Sequence, residues 1–214
     1  MWSIVVAGGS GRRFGQLKQY ALLGGRPVLQ WAVAACRTCS AGVVLVVPDG
    51  DGDHDLHGAD AVVTGGPTRA ESVRRGLAAV PADAAVIVVH DAARPLASPA
   101  LFAAVVAAVT AGGADGAVPG VPPSDTIKAV DESGRVTDTL DRTTLVAVQT
   151  PQVFRAAVLR QAHDAASTGA TDDAMLVEAL GGTVQVVPGE PGNLKITDPG
   201  DLGAAERLLA EREA

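Results

Sequence analysis

The chain has 214 residues, of which 47% are hydrophobic and 3% aromatic, and its formal net charge is −7. That length suits one α/β domain, or one with a small appendage, and the apolar content suffices for a core built on strand and helix packing rather than on aromatic anchors. The acidic balance argues against broad affinity for nucleic acid, which needs a basic surface, and no apolar run approaches the roughly 20 residues of a membrane span.

Strand-like and helical stretches alternate from the start. Trp2–Val6 is a β-branched run that stops at Ala7-Gly8-Gly9 and reads as a strand entering a turn, not as a signal peptide. Val28–Cys36 has helical spacing, Val43–Val47 is an apolar run ended by Pro48-Asp49-Gly50, and Asp49–Asp60 is a polar loop. Ala61–Val63 is a short strand closed by Gly65-Gly66, and Arg69–Val80 is an amphipathic helix with Val73, Leu77 and Val80 on one face. Ala85–Val89 has strand length and stops at His90-Asp91. Ser98 can cap a helix to about Ala111, and Ala114–Val118 is another strand. The alternation predicts a largely parallel sheet with helices on both faces.

After Pro119 the rhythm changes. Asp125–Val130 and Arg135–Leu140 flank Asp131-Glu132-Ser133-Gly134, the pattern of a hairpin with a tight turn. Such a hairpin buries little by itself, so residues from about 124 to 145 are expected to project as an arm that a partner subunit supports. Arg155–Ala166 and Asp173–Leu180 are helical, Thr183–Val187 is a strand, and Asp198 can cap a final helix through Arg212. The reading is one domain over 1–214 with an appended arm, ending with no room for a second fused enzyme.

Parallel sheets place ligands at the carboxyl ends of their strands. The first glycine loop, Gly65-Gly66 and His90-Asp91 all fall there. The first loop, Ala7-Gly8-Gly9-Ser10-Gly11-Arg12-Arg13 with Lys18 nearby, suits a polyphosphate: glycines let it approach the backbone amides, and the cations offset its charge. It is not a dinucleotide fingerprint, whose sixth position here is Phe14, and no Gly-Lys-Ser/Thr follows it. Alone it is equally an ordinary glycine turn. Asp91 at the end of a central strand could hold Mg²⁺ against phosphate oxygens, or merely cap the next turn, whereas His90 reads as structural because magnesium prefers oxygen. Lys195, in Asn193-Leu194-Lys195-Ile196-Thr197-Asp198, taken alone is an exposed surface lysine. Cys36-Arg37-Thr38-Cys39 lacks the second pair a zinc site needs and lies at a helix end that does not activate a thiolate. Unpaired cysteines fit a reducing, cytoplasmic compartment.

These motifs occur in one order with Leu17-Lys18-Gln19-Tyr20, Gly65-Gly66-Pro67-Thr68-Arg69-Ala70-Glu71-Ser72-Val73, His90-Asp91-Ala92-Ala93-Arg94-Pro95, Asp125-Thr126-Ile127-Lys128 and Thr150-Pro151-Gln152. The whole resembles the 2-C-methyl-D-erythritol 4-phosphate cytidylyltransferase family over nearly the full chain. The resemblance implies a Rossmann-like three-layer nucleotidyltransferase fold. It implies transfer of CMP from CTP to 2-C-methyl-D-erythritol 4-phosphate, with Mg²⁺, in a homodimer whose arm reaches over the neighbour's site. By the same resemblance, the backbones of Ala7, Gly8, Gly9 and Gly11 line the nucleotide, and Arg13 and Lys18 grip the triphosphate and the transition state. Gly66 and Ser72 contact the cytidine part, with Ala92 also on the nucleotide side. Asp91 holds the metal, and Arg94, Thr150 and Lys195 face the methylerythritol phosphate. Arg142 and Thr171 serve the neighbouring subunit's substrate.

Departures from the family pattern are Leu17 in place of a proline, a short approach from Arg13 to Lys18, and Pro67 where a polar residue often helps read the base. The rival readings are a ribitol-5-phosphate cytidylyltransferase, a sugar-1-phosphate nucleotidyltransferase and, from another class, a non-catalytic nucleotide-binding regulator. The last has no need of Lys195 or Arg142.

Overall fold

A computed structural model describes residues 1–9, 14, 17–49, 57–166 and 170–213. In chain order the elements are β1 (Trp2–Val6), β2 (Leu22–Leu23), β3 (Arg26–Pro27), α1 (Val28–Arg37), β4 (Gly42–Val47), β5 (Ala61–Thr64), α2 (Arg69–Ala79), β6 (Val86–Asp91), α3 (Pro99–Thr110) and β7 (Gly116–Val121). There follow β8 (Lys128–Val130), β9 (Val136–Thr139), β10 (Ala147–Val148), β11 (Gln152–Arg155), α4 (Ala156–Ala165), α5 (Asp173–Ala179), β12 (Val184–Pro188) and α6 (Pro199–Glu213), with 3-10 turns at Lys18–Tyr20 and Arg142–Thr144.

The central sheet has eight strands in the order β10-β7-β11-β6-β1-β4-β5, with β12 also on β7. The pairs β6–β1, β1–β4, β4–β5 and β7–β12 are parallel, so these strands end on a common side. Residues alternate between its faces. Val5, Val43, Leu45 and Val88 pack with Leu29 of α1 and Phe102 of α3, while Ile4, Val44, Val46 and Ile87 pack with Leu77, Leu159 and Val177 of α2, α4 and α5. This is the three-layer α/β arrangement expected. Aromatic residues are few, yet Phe102 on one face and Phe154 on the other are among the largest fully buried side chains.

One local expectation is corrected. His90 and Asp91 do not follow the strand; they are its last residues, paired with Val5 and Val6 of β1. The segment before α4, to which no element was assigned from the sequence, is more than connection. It contains β11, which runs antiparallel to both β6 and β7 and fills the space between them. Helix starts follow side-chain capping. Thr68 accepts from Glu71 N at 3.1 Å, Ser98 from Leu101 N at 3.0 Å and Asp198 from Gly200 N at 2.9 Å.

Helix α2 lies close on the sheet because Gly76 has no side chain: a Cβ there would sit 2.6 Å from Cγ2 of Ile4 and 3.1 Å from Cγ2 of Val46. Gly76→Val should therefore cost about 2 kcal/mol by overpacking, read as a lowered urea midpoint at unchanged slope.

The hairpin β8–β9 stands apart from the central sheet. Its turn is built as its residues suggest: the Asp131 carboxylate accepts from Ser133 N and Arg135 N, each at 2.9 Å, and Gly134 takes φ 78°. Val130, Val136 and Leu140 on it are exposed.

Candidate active site

Two adjoining cavities open where the parallel strands end. The larger, about 530 Å³, has Ala7, Gly8, Gly9, Lys18, Gly66 and Ser72 on its wall, together with Asp91, Ala92 and Lys195. The smaller, about 240 Å³, has Arg94, Thr150 and Thr171 on its wall, again with Asp91 and Lys195. Asp91, Lys195 and Arg69 line both. Gly11 and Arg13 lie outside the described residues. Arg142 lines neither cavity; it sits at the base of the hairpin, where its guanidinium donates to the Ser124 carbonyl.

The first wall is shaped by backbone. Ala7 N donates to Val46 O at 2.8 Å and Ala92 N to Val6 O at 3.0 Å, which carries the sheet pairing into the loop. Gly66 packs against α2 so closely that a Cβ would fall 2.1 Å from Cγ of Glu71, and its N–H donates to Ser72 Oγ at 3.1 Å. Lys18, despite its short approach, reaches the cavity: its Nζ donates to Ile196 O at 2.7 Å. Among the described residues this wall carries Lys18, Arg69 and Lys195 against one carboxylate, Asp91. That surplus suits a polyanion.

Lys195 is presented by an extended segment fixed on both sides. Ile196 is buried and donates its N–H to Ala93 O at 2.8 Å. Asn193 is buried and donates its Nδ2 to Thr150 O at 2.9 Å. The lysine between them projects outward and donates to Asp91 Oδ2 at 2.7 Å, with 45% of its side chain exposed. It is no ordinary surface lysine.

Asp91 takes Lys195 on one oxygen and Arg69 Nε, at 3.3 Å, on the other. Burial alone would raise its carboxyl, but Arg69 and Lys195 outweigh burial and hold it well below the usual carboxylate range. Its backbone N–H donates to Thr150 Oγ1 at 3.0 Å. His90 Nε2 lies 3.1 Å from the Arg94 carbonyl, so it must carry the proton; Nδ1 then accepts from the Thr150 hydroxyl at 3.0 Å. Burial holds the His90 imidazole down to about 4, so the ring is neutral near pH 7 and serves as a strut. The hydroxyl of Thr150 is thus engaged with Asp91 and His90 on the wall of the smaller cavity. Arg94 donates Nη1 to Asn193 O at 2.7 Å, and its buried Nε has no hydrogen-bond partner among the described residues.

A divalent cation fits Asp91 only with help. Among the described residues no group of three or more His, Cys, Asp or Glu could hold one. Magnesium is commonly held by one or two carboxylates plus substrate phosphates and water, which is the donor set a triphosphate beside Asp91 would complete. Cys36 is buried, where desolvation pushes its thiol up; Cys36 and Cys39 form no disulfide, and neither is on the wall of these two cavities.

Reading residue types along the chain assigned nothing to Arg69, although it touches both cavities. Its basic charge at the start of a helix, inside a block already singled out, was the available signal. Gln149 and Asp172 on the smaller cavity gave no signal of their own, and Gln152 stood in the Thr150-Pro151-Gln152 block without a role.

Cations gathered beside a glycine-rich wall at the strand ends of an α/β sheet define a phosphate-handling site of the nucleotide-binding class. Residues 1–211 match the family of 2-C-methyl-D-erythritol 4-phosphate cytidylyltransferases, and the chain belongs to that family. A cytidylyltransferase of that name from Synechococcus sp. (strain WH7803) is 43% identical over 99% of this chain and 100% of its own length. A bifunctional IspD/IspF enzyme from Anaeromyxobacter dehalogenans is 50% identical over 96% of this chain, which spans 56% of that relative's length. Of solved structures, the 2-C-methyl-D-erythritol 4-phosphate cytidylyltransferase of Thermus thermophilus superposes with a TM-score of 0.82 at 37% identity, covering 97% of this chain and 98% of that one. No helix among the described residues is long and apolar enough to cross a membrane.

Proposed function

We propose that this chain transfers CMP from CTP to 2-C-methyl-D-erythritol 4-phosphate, giving 4-diphosphocytidyl-2-C-methyl-D-erythritol and pyrophosphate. The observation that carries this reading is the shared wall: Asp91, Lys195 and Arg69 border both cavities, so two anionic substrates would meet across one carboxylate and two cations. CTP occupies the larger cavity and the polyol phosphate the smaller. A phosphate oxygen of the polyol attacks the α-phosphorus of CTP, a new P–O bond forms, and the α–β bridging oxygen leaves with its electron pair on pyrophosphate.

The attacking phosphate has a second pKa of about 6, so it is already largely dianionic near neutrality and needs no general base. The obstacle is repulsion between anions, and catalysis comes from positioned cations. Lys18 grips the triphosphate, Lys195 leaves Asp91 to meet the charge growing at the α-phosphate, and Arg94 offers its positive charge to the acceptor from the wall of the smaller cavity. Asp91 and the triphosphate oxygens would hold Mg²⁺, which would add charge neutralisation there. The homodimer is part of this reading. Arg142 lies outside both cavities, and the exposed apolar residues of the hairpin offer a surface to a second copy, whose site Arg142 would serve.

Two expected outcomes arise here. Excess EDTA should abolish turnover and added MgCl₂ restore it; full activity in EDTA contradicts the role given to Asp91. Below pH about 6, kcat/KM for the acceptor should fall about tenfold per pH unit as its phosphate gains a proton. His90, already neutral, and Asp91, still ionised, add no step in that range. A phosphonate analogue, with a higher second pKa, should move the limb upward, and a limb that does not follow the acceptor would assign it to the enzyme instead. Pyrophosphate release with CTP and each of methylerythritol phosphate, ribitol 5-phosphate and a sugar 1-phosphate separates the rival acceptors. Release with none of them would favour the non-catalytic regulator.

A further inference from the structure

A chain of charged side chains runs from the site into the interior. Lys195 meets Asp91, Asp91 meets Arg69, and beyond Arg69 stands Asp173 at the start of α5, with Nη1 to Oδ2 at 2.7 Å. The other oxygen of Asp173 accepts from His163 Nε2 at 2.9 Å, and both side chains are only 1% exposed. Burial alone would raise the Asp173 carboxyl; Arg69 and the hydrogen bond from His163 keep it below its ordinary value. The Arg69 guanidinium therefore spans two carboxylates, one on the cavity wall and one inside the protein.

A buried ion pair of this kind gains little stability over apolar side chains of similar volume. What it supplies is fixed geometry, because the planar guanidinium fork leaves few ways to satisfy both partners. The two cations on Asp91 also differ. Lys195 is 45% exposed on a flexible stem and can be exchanged for an incoming phosphate or metal, whereas Arg69 is 25% exposed and tied down from behind.

We propose that Arg69 is a positioning residue for the transfer reaction: anchored by the buried Asp173–His163 pair, it fixes the Asp91 carboxylate on the wall the two cavities share. This rests on the transfer activity proposed above. Arg69 holds one oxygen of Asp91 in place while the other changes partner. Lysine cannot substitute, since a single ammonium does not reach both carboxylates in fork geometry. Asp173 acts through Arg69, and His163 through Asp173.

The test is a double-mutant cycle on turnover, followed with labelled CTP, with folding checked by circular dichroism. Arg69→Gln should lower kcat about 30- to 100-fold with KM for CTP within about threefold, and Arg69→Lys should not restore it. In an Asp91→Asn background, Arg69→Gln should cost less than about threefold more, because its effect passes through the missing carboxylate. Asp173→Asn is close in volume. It can accept from Arg69 and donate to His163 once that ring changes tautomer, so it keeps the fold while removing the anchor's charge, and it should lower kcat about tenfold with the same dependence on Asp91. Should Arg69→Gln fail to fold, the Asp173→Asn cycle decides alone. Folded variants with kcat within twofold of the parent, or losses that multiply with Asp91→Asn as for independent sites, overturn the proposal. A parent chain that transfers no cytidylyl group to any acceptor instead refutes the functional reading, a distinct outcome.

Discussion

Lys195→Ala should reduce turnover by on the order of 10²-fold or more while leaving the protein folded. The lysine is held out from a segment pinned by Asn193 and Ile196, and its ammonium stands 2.7 Å from Asp91 on the wall common to both cavities. Among the described residues it is a cation placed to meet charge that grows when one phosphate attacks another. The structural cost is small. The side chain is 45% exposed, partly exposed ion pairs contribute about 0–1 kcal/mol, and Asp91 keeps Arg69 when Lys195 is gone. The measurement is kcat at saturating substrates beside a thermal melt. A folded Lys195→Ala protein with near-normal turnover removes Lys195 from the mechanism.

Lys18→Ala should cost a similar factor, on the order of 10²-fold in kcat/KM for CTP. From the wall of the larger cavity its ammonium donates to the Ile196 carbonyl, which tethers the loop side of the site to the Lys195 segment. Because Lys18 would grip the triphosphate in both ground and transition states, KM for CTP should rise as well as kcat fall. Lys195→Ala, acting mainly on the transition state, should show most of its loss in kcat. Lys18→Arg is not a conservative change here, since a forked guanidinium does not present a single point charge. Unchanged CTP kinetics in Lys18→Ala would place its ammonium outside the triphosphate site.

The central parallel strands were legible because burial on both faces forces continuous β-branched runs such as Val43–Val47 and Trp2–Val6. The start of α3 was legible because Ser98 caps it through its own side chain. β11 was not: four residues between Pro151 and α4 carry no periodicity, and only its neighbours β6 and β7 define it as a strand. The backbone lining at Gly8 and Gly9 followed from the need for close approach, whereas the role of Gly66 came only with the family resemblance. The role of His90 as a strut matched its residue type, but its bond to Thr150 joins positions 60 residues apart. The partners of Asp91 and Arg69 are more remote still. Lys195 is 104 residues from Asp91, and Asp173 is 104 residues from Arg69. No local pattern encodes such pairs, so Arg69 stayed unassigned and Lys195 read in isolation as a surface lysine. Pro67 and Ser72 both lie on the wall of the larger cavity.

Phosphorus-31 NMR of the purified protein with CTP, Mg²⁺ and 2-C-methyl-D-erythritol 4-phosphate tests the central claim most directly. The account predicts loss of the three triphosphate signals, appearance of free pyrophosphate, and a pair of mutually coupled diphosphate resonances from the new bridge between CMP and the polyol phosphate. An unchanged spectrum, or pyrophosphate accompanied by free CMP and intact acceptor, would contradict it.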